Sequence, residues 1–542
     1  MTDASPTTGR AGTAHRHLGW ALVLICVVQL MVVLDSTIAN IALPYIQSDL
    51  GISQANLQWV VTGYALAFGG LLLLGGRLGD LYGRRRIFMV GVTIFAVASG
   101  LGGFAQNELM LIGSRGLQGL GAAIASPTAL ALITTTFPAG PQRNRAFSVY
   151  AAMSGVGAAV GLILGGWLTG LHPQVFGHVL DGWRLTFLIN VPIGLAAAFA
   201  APRLLAESES HPGELDLPGA LTGTLGLVSI VYGLSRAAQP AHGWSDAGTV
   251  AALVTGALLL VVFLLIERSV QHPLLPFRIL ADRTRATAFV TMMIVPAAMF
   301  AMFYFLSQVV QDVMGWSPLH TGVAFLPFSA GIVLAATVSS RLISKVDPRF
   351  IAGTGTALAG LALLLFSRIS VDDATAHLLR VARQGGDLGS SVSYWADIFP
   401  PVIVMSIGMG LTFVPMTLCA VHRVDHRDSG VGSGVLNTMQ QVGGALGLAT
   451  LSTVAVHALT SRLQELVAAV KAAVPAGAPS PSPQVVQHVR DVVYQAAFTH
   501  GATRAFLTGA FMIWCASVIV WVFLDVKHQE MASDEAPEVV SP

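Results

Sequence analysis

Long apolar segments alternate with short polar ones along almost the whole chain. Each apolar segment is roughly 20 residues long, the length that an α-helix needs to cross the hydrocarbon core of a membrane. Backbone groups in lipid must be hydrogen-bonded within helices or closed barrels, and the alternating pattern of barrel strands is absent. The sequence therefore predicts an all-α membrane protein with fourteen transmembrane helices. The predicted spans are 18–43, 57–80, 86–105, 109–136, 145–171, 184–204, 216–236, 247–267, 284–311, 319–342, 349–369, 397–421, 430–457 and 502–525.

The polar segments carry the charge pattern that sets the orientation. Most of the 29 Lys and Arg residues fall on one side of the predicted membrane, and basic residues favour the cytoplasmic side. With an even number of helices, both termini are expected in the cytoplasm. We expect residues 1–17 to form a disordered tail and residues 526–542 to form a second tail. The first apolar segment is too long for a signal peptide, so we expect it to be retained.

The composition narrows the function classes. The chain is 54% hydrophobic and 11% charged, whereas soluble domains contain about 25% charged residues. A net charge of +1 gives no basic surface for a nucleic acid. The three cysteines lie in or beside apolar segments without metal-ligand or disulfide spacing. We therefore expect no metal site, no cofactor and no nucleic-acid partner.

Two connections on the expected outer side are unusually long. The connection at 370–396 is polar, and the one at 458–500 contains two amphipathic stretches separated by a Pro/Ala/Ser break. This pattern predicts a helical hairpin over the outer surface. A mobile linker without a role is the alternative.

Asp35 lies deep in the first apolar segment. A carboxylate at membrane depth is costly and usually functional, so we expect Asp35 to gain and lose a proton during the working cycle. Arg115 lies about two turns inside the fourth span, with Gln118 on the same helix face. We expect Arg115 to organise the proton site or to hold the ionised carboxylate. The alternatives are a permanently paired structural acid and an arginine that only packs against backbone carbonyls.

A Gly- and Arg-rich loop connects the second and third spans. Gly76 and Gly83 permit close helix approach and a tight reversal, and Asp80 can pair with Arg84 and Arg85. We expect an ion-pair latch that opens and closes. A purely topological anchor is the alternative.

These motifs resemble known family signatures. The run Gly76-Arg-Leu-Gly-Asp80-Leu-Tyr-Gly-Arg84-Arg85 resembles the loop signature of the major facilitator superfamily. The segments 34–44, 115–122, 182–194 and 436–447 resemble signatures of its fourteen-helix drug:proton antiporter branch. The resemblance covers nearly the whole chain.

The resemblance implies two six-helix bundles related by pseudo-symmetry, with two inserted central helices. The expected domains are an N-terminal bundle at 18–204, an insertion at 205–283 and a C-terminal bundle at 284–525. The two bundles would rock around a midplane cavity. The resemblance also implies a monomer driven by the proton gradient.

Two positions depart from the family pattern. The fifth-helix signature usually carries a proline where this chain has Leu162, which weakens any inference of export from a proline-linked bend. The expected packing face is still present, since small residues occur at Gly157, Gly161, Gly165 and Gly166. The loop signature also often has a basic residue at the position of Leu81, so one latch partner is missing.

The cavity lining follows from polar and aromatic residues at membrane depth. Such residues suit varied hydrophobic ligands, although helix packing, interhelical hydrogen bonds and lipid contact are the alternatives. The candidates are Tyr64, Gln118, Phe303, Tyr304, Gln308, Phe325, Asn437, Gln440 and Gln441.

These features predict a proton-coupled exporter of hydrophobic drug-like compounds in the bacterial cytoplasmic membrane. A single acid at membrane depth implies few protons per cycle and neutral or monocationic substrates. The alternatives are transport of an endogenous lipid or hydrophobic metabolite, a passive channel and a membrane-embedded enzyme. Motifs for metalloprotease, nucleophilic or ATP-driven chemistry are absent from the sequence, so we expect a non-enzyme whose partners are protons, a small molecule and membrane lipid.

Overall fold

The computed structural model describes residues 9–138, 141–175, 177–207, 215–239, 241–271, 273–275, 277–422, 429–473 and 482–533. These residues are almost entirely helical. A two-residue antiparallel hairpin pairs β1 (Gln174–Val175) with β2 (His178–Val179). The protein is therefore an all-α membrane protein, as the periodic apolar segments predicted.

The first half of the chain forms eight helices. They are α1 (Gly9–Leu50), α2 (Gln54–Leu57), α3 (Trp59–Tyr82), α4 (Arg84–Gly103), α5 (Glu108–Thr136), α6 (Pro141–Thr169), α7 (Gly182–Leu188) and α8 (Asn190–Leu204). Two inserted helices follow, α9 (Leu217–Ala238) and α10 (Ala247–Ser269).

The second half continues with ten helices and two π-helical turns, at Val309–Val313 and Tyr394–Ile398. The helices are α11 (Phe277–Leu280), α12 (Arg283–Gln308), α13 (Pro318–Ala324), α14 (Leu326–Leu342), α15 (Pro348–Phe366), α16 (Thr375–Arg383), α17 (Phe399–Val421), α18 (Ser429–Ala473), α19 (Pro483–Phe523) and α20 (His528–Ser533). A 3-10 turn lies at Gly389–Ser391.

The helices supply the predicted fourteen crossings. Thirteen segments in the described part of the chain are long and apolar enough to cross a membrane, several of them made of two consecutive helices. α6 supplies the remaining crossing, with its apolar part at Val156–Thr169. Because the number of crossings is even, the first span begins and the last span ends on the same side, which we call the terminal face. The opposite side carries the connection between α18 and α19, and we call it the hairpin face.

One expectation about the chain's polar segments needs correction. The tail 1–17 was expected to be disordered, but α1 begins at Gly9 because good helix formers such as Ala11 and Ala14 extend the first span. Residues 1–8 lie outside the described residues, as do residues 534–542 of the second tail.

The two amphipathic stretches within 458–500 are helical and form the hairpin-face ends of α18 and α19. They continue α18 and α19 without a break, and α16 packs against both. Arg462 of α18 pairs with Asp373 from the preceding long connection. Part of the Pro/Ala/Ser break, residues 474–481, lies outside the described residues.

The hydrophobic core differs between the two faces. Towards the hairpin face, one core contains residues of both bundles, such as Ile46, Leu57 and Phe305. Towards the terminal face, each bundle has a separate core, one around Phe95 and the other around Met416. The two bundles are therefore joined by a common apolar core mainly at the hairpin face.

Candidate functional site

A buried ion pair occupies the middle of the first bundle. Asp35 lies halfway along the first span and Arg115 lies two turns into α5, and their side chains are 2% and 1% exposed. Arg115 Nη1 donates to Asp35 Oδ2 at 2.5 Å. The other carboxylate oxygen, Oδ1, accepts from Gln118 Nε2 at 2.9 Å and from Asn190 Nδ2 at 3.1 Å. Charge-assisted hydrogen bonds thus offset the desolvation of the carboxylate.

Arg115 has contacts beyond its carboxylate partner. Its Nε donates to the Val60 carbonyl at 2.7 Å, and its Nη1 also donates to Gln118 Oε1 at 2.9 Å. The guanidinium group lies 4.5 Å from the ring centroid of Tyr64, a cation–π distance. Arg115 therefore binds both Asp35 and a backbone carbonyl, which the sequence analysis treated as alternatives.

Sequence reasoning missed two residues of this site. Asn190 begins α8 and also donates to Ser99 Oγ at 3.0 Å, and Ser99 Oγ donates to the Phe187 carbonyl at 2.7 Å. Asn190 lies within the segment 182–194, which resembles a family signature. No local sequence pattern predicts its contact with Asp35. Together these residues form an acid site that draws on α1, α4, α5 and α8 of one bundle.

The Gly- and Arg-rich loop between α3 and α4 makes ion pairs at the terminal face. Gly83 has a φ of +97°, a conformation that favours glycine. Asp80 accepts from Arg84 Nη2 at 3.0 Å, and Arg84 also reaches the Ala131 carbonyl of α5 at 3.4 Å. Gly76 lies one turn from Asp80 and faces Pro127 of α5.

Glu207 is a loop partner that the sequence analysis did not identify. Its Oε1 accepts from the backbone N–H of Arg85 at 3.0 Å, and its Oε2 lies 3.5 Å from Arg85 Nε. Arg85 Nη1 also donates to the Leu205 carbonyl at 3.0 Å. These contacts tie the loop to the end of α8, so they link elements of the first bundle.

The small residues of α6 lie against neighbouring helices. A Cβ at Gly165 would lie 3.0 Å from Ile38 Cα, and Gly157 and Gly161 likewise face α1. Gly166 faces the Pro318 carbonyl of α13 in the other bundle. Leu162, which stands at the usual proline position, is fully buried at this contact.

The residues expected to line a cavity lie in several different surroundings. Tyr64 and Gln118 belong to the acid site. Phe303 packs against Phe325 and Phe328, with ring centroids 5.2 Å apart in each pair. Tyr304 is fully buried against Phe305, and so belongs to the core rather than to an open cavity.

The polar candidates on α18 lie near helices of both bundles. Gln441 faces Gly69 of α3, and Gln440 Nε2 lies 3.5 Å from Met292 Sδ of α12. Asn437 is exposed, and its helix face lies between these two contacts. This face of α18 therefore points between the two bundles.

Gln308 belongs to a polar network that closes the hairpin face. Its Oε1 accepts from Gln54 Nε2 at 2.8 Å, across the two bundles. Nearby, Gln311 Nε2 donates to the Ile41 carbonyl at 3.1 Å, and Ser307 Oγ donates to the Asn40 carbonyl at 3.1 Å. The acid site is therefore separated from the hairpin face by paired polar groups and the shared core.

The second bundle has a different interior. No acidic or basic side chain lies between Arg285 and Asp312 in the span of α12, and α17 contains none. No cluster of three or more His, Cys, Asp and Glu residues suited to a metal is present within the described ranges. The second bundle therefore offers aromatic, amide and apolar groups at membrane depth.

Comparisons with known proteins agree with this architecture. Residues 25–448 match the Major Facilitator Superfamily. The chain is similar to the puromycin resistance protein of Streptomyces alboniger, with 39% identity covering 96% of this chain and 94% of the relative. It is 36% identical to the cephamycin export protein of Amycolatopsis lactamdurans, covering 80% and 84%.

A solved structure shares the fold. It is a bacterial homolog of the human lysosomal transporter Spinster in an inward-facing, unoccupied conformation. The TM-score is 0.66 at 15% identity, and the match covers 96% of this chain and 99% of that one.

Proposed function

Because the chain belongs to the major facilitator superfamily, we propose that it exports hydrophobic drug-like compounds across the bacterial cytoplasmic membrane in exchange for protons. The compound class is supported by relatives that confer puromycin resistance or export cephamycin. The terminal face would then be cytoplasmic, as the distribution of basic residues predicts. We expect the protein to act as a monomer.

The observation that carries the proton coupling is the buried Asp35–Arg115 pair. Arg115, Gln118 and Asn190 all donate hydrogen bonds to the Asp35 carboxylate. A proton on Asp35 removes the charge that holds Arg115, which favours rearrangement of the helices that carry the two residues. A buried ion pair of this kind is costly to break on one side alone, by about 3–5 kcal/mol.

The proposed cycle alternates access to this site. With the hairpin face closed, a compound enters from the cytoplasm and Asp35 releases its proton there. After the bundles rock, the compound leaves on the outer side and Asp35 takes up a proton from that side. For a neutral compound, a membrane potential contributes about 2.3 kcal/mol per proton per 100 mV. Exchange of a monocationic compound for one proton moves no net charge, so the pH difference alone drives it.

The proposed substrate chemistry follows from the second bundle. It offers the Phe303–Phe325–Phe328 cluster and the amides of α18, and no carboxylate lies between Arg285 and Asp312 or in α17. Neutral or monocationic hydrophobic compounds match this lining. Puromycin, a hydrophobic weak base, is therefore a suitable first substrate to test.

The test uses proteoliposomes with an acidic lumen and the terminal face outside. We expect the wild-type protein to concentrate puromycin and a hydrophobic monocationic dye in the lumen, and a protonophore to abolish this. Asp35→Asn should reduce transport to passive leakage. Asp491→Asn, which removes an exposed carboxylate on α19, should transport like the wild type.

The same vesicles distinguish the alternatives. Movement of a fluorescent phospholipid without movement of either drug would overturn the drug assignment in favour of lipid transport. Drug movement that is insensitive to the protonophore would indicate a passive channel and would overturn the proton coupling.

A further inference from the structure

The inserted helices α9 and α10 form an antiparallel hairpin with a definite register. A Cβ at Gly226 would lie 3.0 Å from Leu260, and a Cβ at Gly223 would lie 3.2 Å from Phe263. Moving three residues towards the terminal face on α9 therefore corresponds to moving three residues in the same direction on α10. One turn further, this register places Glu267 opposite the first turn of α9.

A second carboxyl group lies at the same point. Asp216 is the N-cap of α9, and its Oδ1 accepts from the backbone N–H of Gly219 at 2.8 Å. The register brings the carboxyl groups of Asp216 and Glu267 next to each other across α9 and α10. Asp216 is 4% exposed and Glu267 is 2% exposed. Two acids thus share a buried position at the terminal end of the insertion.

One oxygen of each carboxyl group has no partner. Glu267 Oε2 accepts from the backbone N–H of Leu275 at 2.8 Å, which ties it to the loop that leads into the second bundle. Asp216 Oδ2 and Glu267 Oε1 are buried without a hydrogen-bond partner among the described residues. An ionised carboxylate can accept hydrogen bonds but cannot donate one. These two oxygens therefore repel each other unless one of them carries a proton.

Among the described residues, no basic side chain lies within hydrogen-bonding distance of either unpartnered oxygen. Arg77 lies at the same end of the neighbouring α3, and its Nε also lacks a partner within the described ranges. Arg268 stacks 5.5 Å from the ring of Phe277. Arg278 and Asp282 lie in and after α11, and α18 has no acidic or basic residue from 429 to 456. Glu209, His211 and Glu214 lie outside the described residues.

We infer that Asp216 and Glu267 bind one proton between them and form a second proton site at the terminal end of the inserted helices, separate from Asp35. The proton turns one carboxyl group into a donor and removes one of two like charges. Loss of this proton leaves two buried charges in contact, which separates the ends of α9 and α10 and loosens the loop that Glu267 holds. The site thus connects cytoplasmic proton concentration to the junction between the insertion and the second bundle.

The direct test is infrared difference spectroscopy of the purified full-length protein during an alkaline titration. We expect the wild type to show the C=O stretch of a protonated carboxyl group that disappears on deprotonation. Glu267→Gln and Asp216→Asn should each remove this signal, because an amide donates the hydrogen bond permanently. Asp35→Asn should keep the signal, and loss of it there alone would overturn the assignment to the Asp216–Glu267 pair.

Thermal unfolding provides a second readout that does not depend on transport. Because the folded pair binds a proton that the separated acids release, the wild-type melting temperature should fall as pH rises through deprotonation of the pair. Glu267→Gln should remove this dependence. Asp216→Ser, which keeps an N-cap acceptor, serves as the second variant if Asp216→Asn fails to fold.

Two outcomes would overturn the inference. One is a melting temperature with the same pH dependence in the wild type and in Glu267→Gln. The other is an absent carboxyl signal together with stabilisation by Na⁺ but not by a large organic cation, since a metal ion would then occupy the pair. Because neither readout uses substrate or transport, failure here leaves the proposed export function standing, and failure of export leaves this site standing.

Discussion

The two six-helix bundles use the membrane interior in different ways. The first bundle buries a charged pair, Asp35 and Arg115, and satisfies it with side-chain amides, a hydroxyl group and a backbone carbonyl. The second bundle has the same overall architecture but fills the corresponding depth with aromatic and apolar side chains. Pseudo-symmetric folds therefore do not imply symmetric chemistry.

The difference suggests a division of roles. A proton needs a carboxylate whose charge is stabilised by fixed partners, whereas a variable hydrophobic compound needs adaptable apolar surface. Placing these functions in separate bundles allows each site to change without disturbing the other. Under the proposed function, contacts between the bundles such as Gln54–Gln308 would couple the two sites.

The largest expected effect comes from removing one member of the buried pair. Arg115→Ala leaves the Asp35 carboxylate buried without its counter-ion, and we expect a loss of about 3–5 kcal/mol in the free energy of unfolding. Calorimetric or denaturant unfolding in detergent measures this loss.

The paired variant distinguishes charge from packing. Asp35→Asn together with Arg115→Gln removes both charges, so most of the stability should return while proton-driven transport stays absent. Equal instability of the single and double variants would show that Arg115 acts through packing rather than through its charge.

A smaller effect is expected at the contact between the bundles. Gly166→Val places a side chain against the Pro318 carbonyl, and overpacking of this kind costs about 1–3 kcal/mol. The closed form of the hairpin face should become less populated. Labelling of Asn40→Cys by a membrane-impermeant maleimide, applied from the hairpin side, should therefore become faster.

The control for this change is Gly116→Val, because a Cβ at Gly116 meets no atom within 4 Å. It should leave the labelling rate unchanged. Equal labelling rates in the Gly166→Val variant and the control would contradict the view that the α6–α13 contact helps to close the hairpin face. The experiment requires replacement of the exposed native Cys515.

A substitution in the aromatic cluster tests whether the second bundle binds the substrate. Phe303→Ala removes an aromatic ring that the proposed site offers to the compound, and one aromatic contact contributes about 0.5–1.5 kcal/mol. We expect roughly tenfold weaker drug binding, about 1.4 kcal/mol, with transport still dependent on the proton gradient. Equilibrium binding and vesicle transport measure these separately, and Phe199→Ala, on an exposed side chain, is the matched control.

The smallest expected change in the free energy of unfolding comes from a residue at the terminal face of the second bundle. Hydrogen bonds from the backbone N–H and imidazole of His528 lower the pKa of Asp347. The resulting stabilisation is present at neutral pH and disappears as pH falls through the lowered pKa of Asp347. Asp347→Asn should cost less than about 1 kcal/mol at neutral pH and nothing at strongly acidic pH, as melting curves against pH would show.

The sequence predicts much of the fold because lipid imposes a simple length rule on apolar helices. It also identifies Asp35, Arg115 and Gln118, because charged and amide groups in apolar segments are conspicuous. The ends of α1, α18 and α19 were less predictable, since helices continue beyond the membrane wherever the residues favour helix and find packing partners.

The contacts that the sequence analysis missed share a physical cause. Asn190 meets Asp35 from 155 positions away, Glu207 meets Arg85 from 122 positions away, and Gln308 meets Gln54 from 254 positions away. Helix packing creates these contacts, and no local periodicity records which helices become neighbours. Tyr304 was misplaced for the same reason, because a tyrosine in an apolar helix looks alike whether it faces a cavity or the core.

The most direct test of the central claim is to count protons when substrate binds. Purified protein in weakly buffered detergent solution, with a pH indicator dye, would be mixed with puromycin. We predict that the wild type releases protons on binding, that Asp35→Asn releases none while still binding, and that Glu267→Gln releases as many as the wild type. Equal proton release by the wild type and Asp35→Asn would contradict the account.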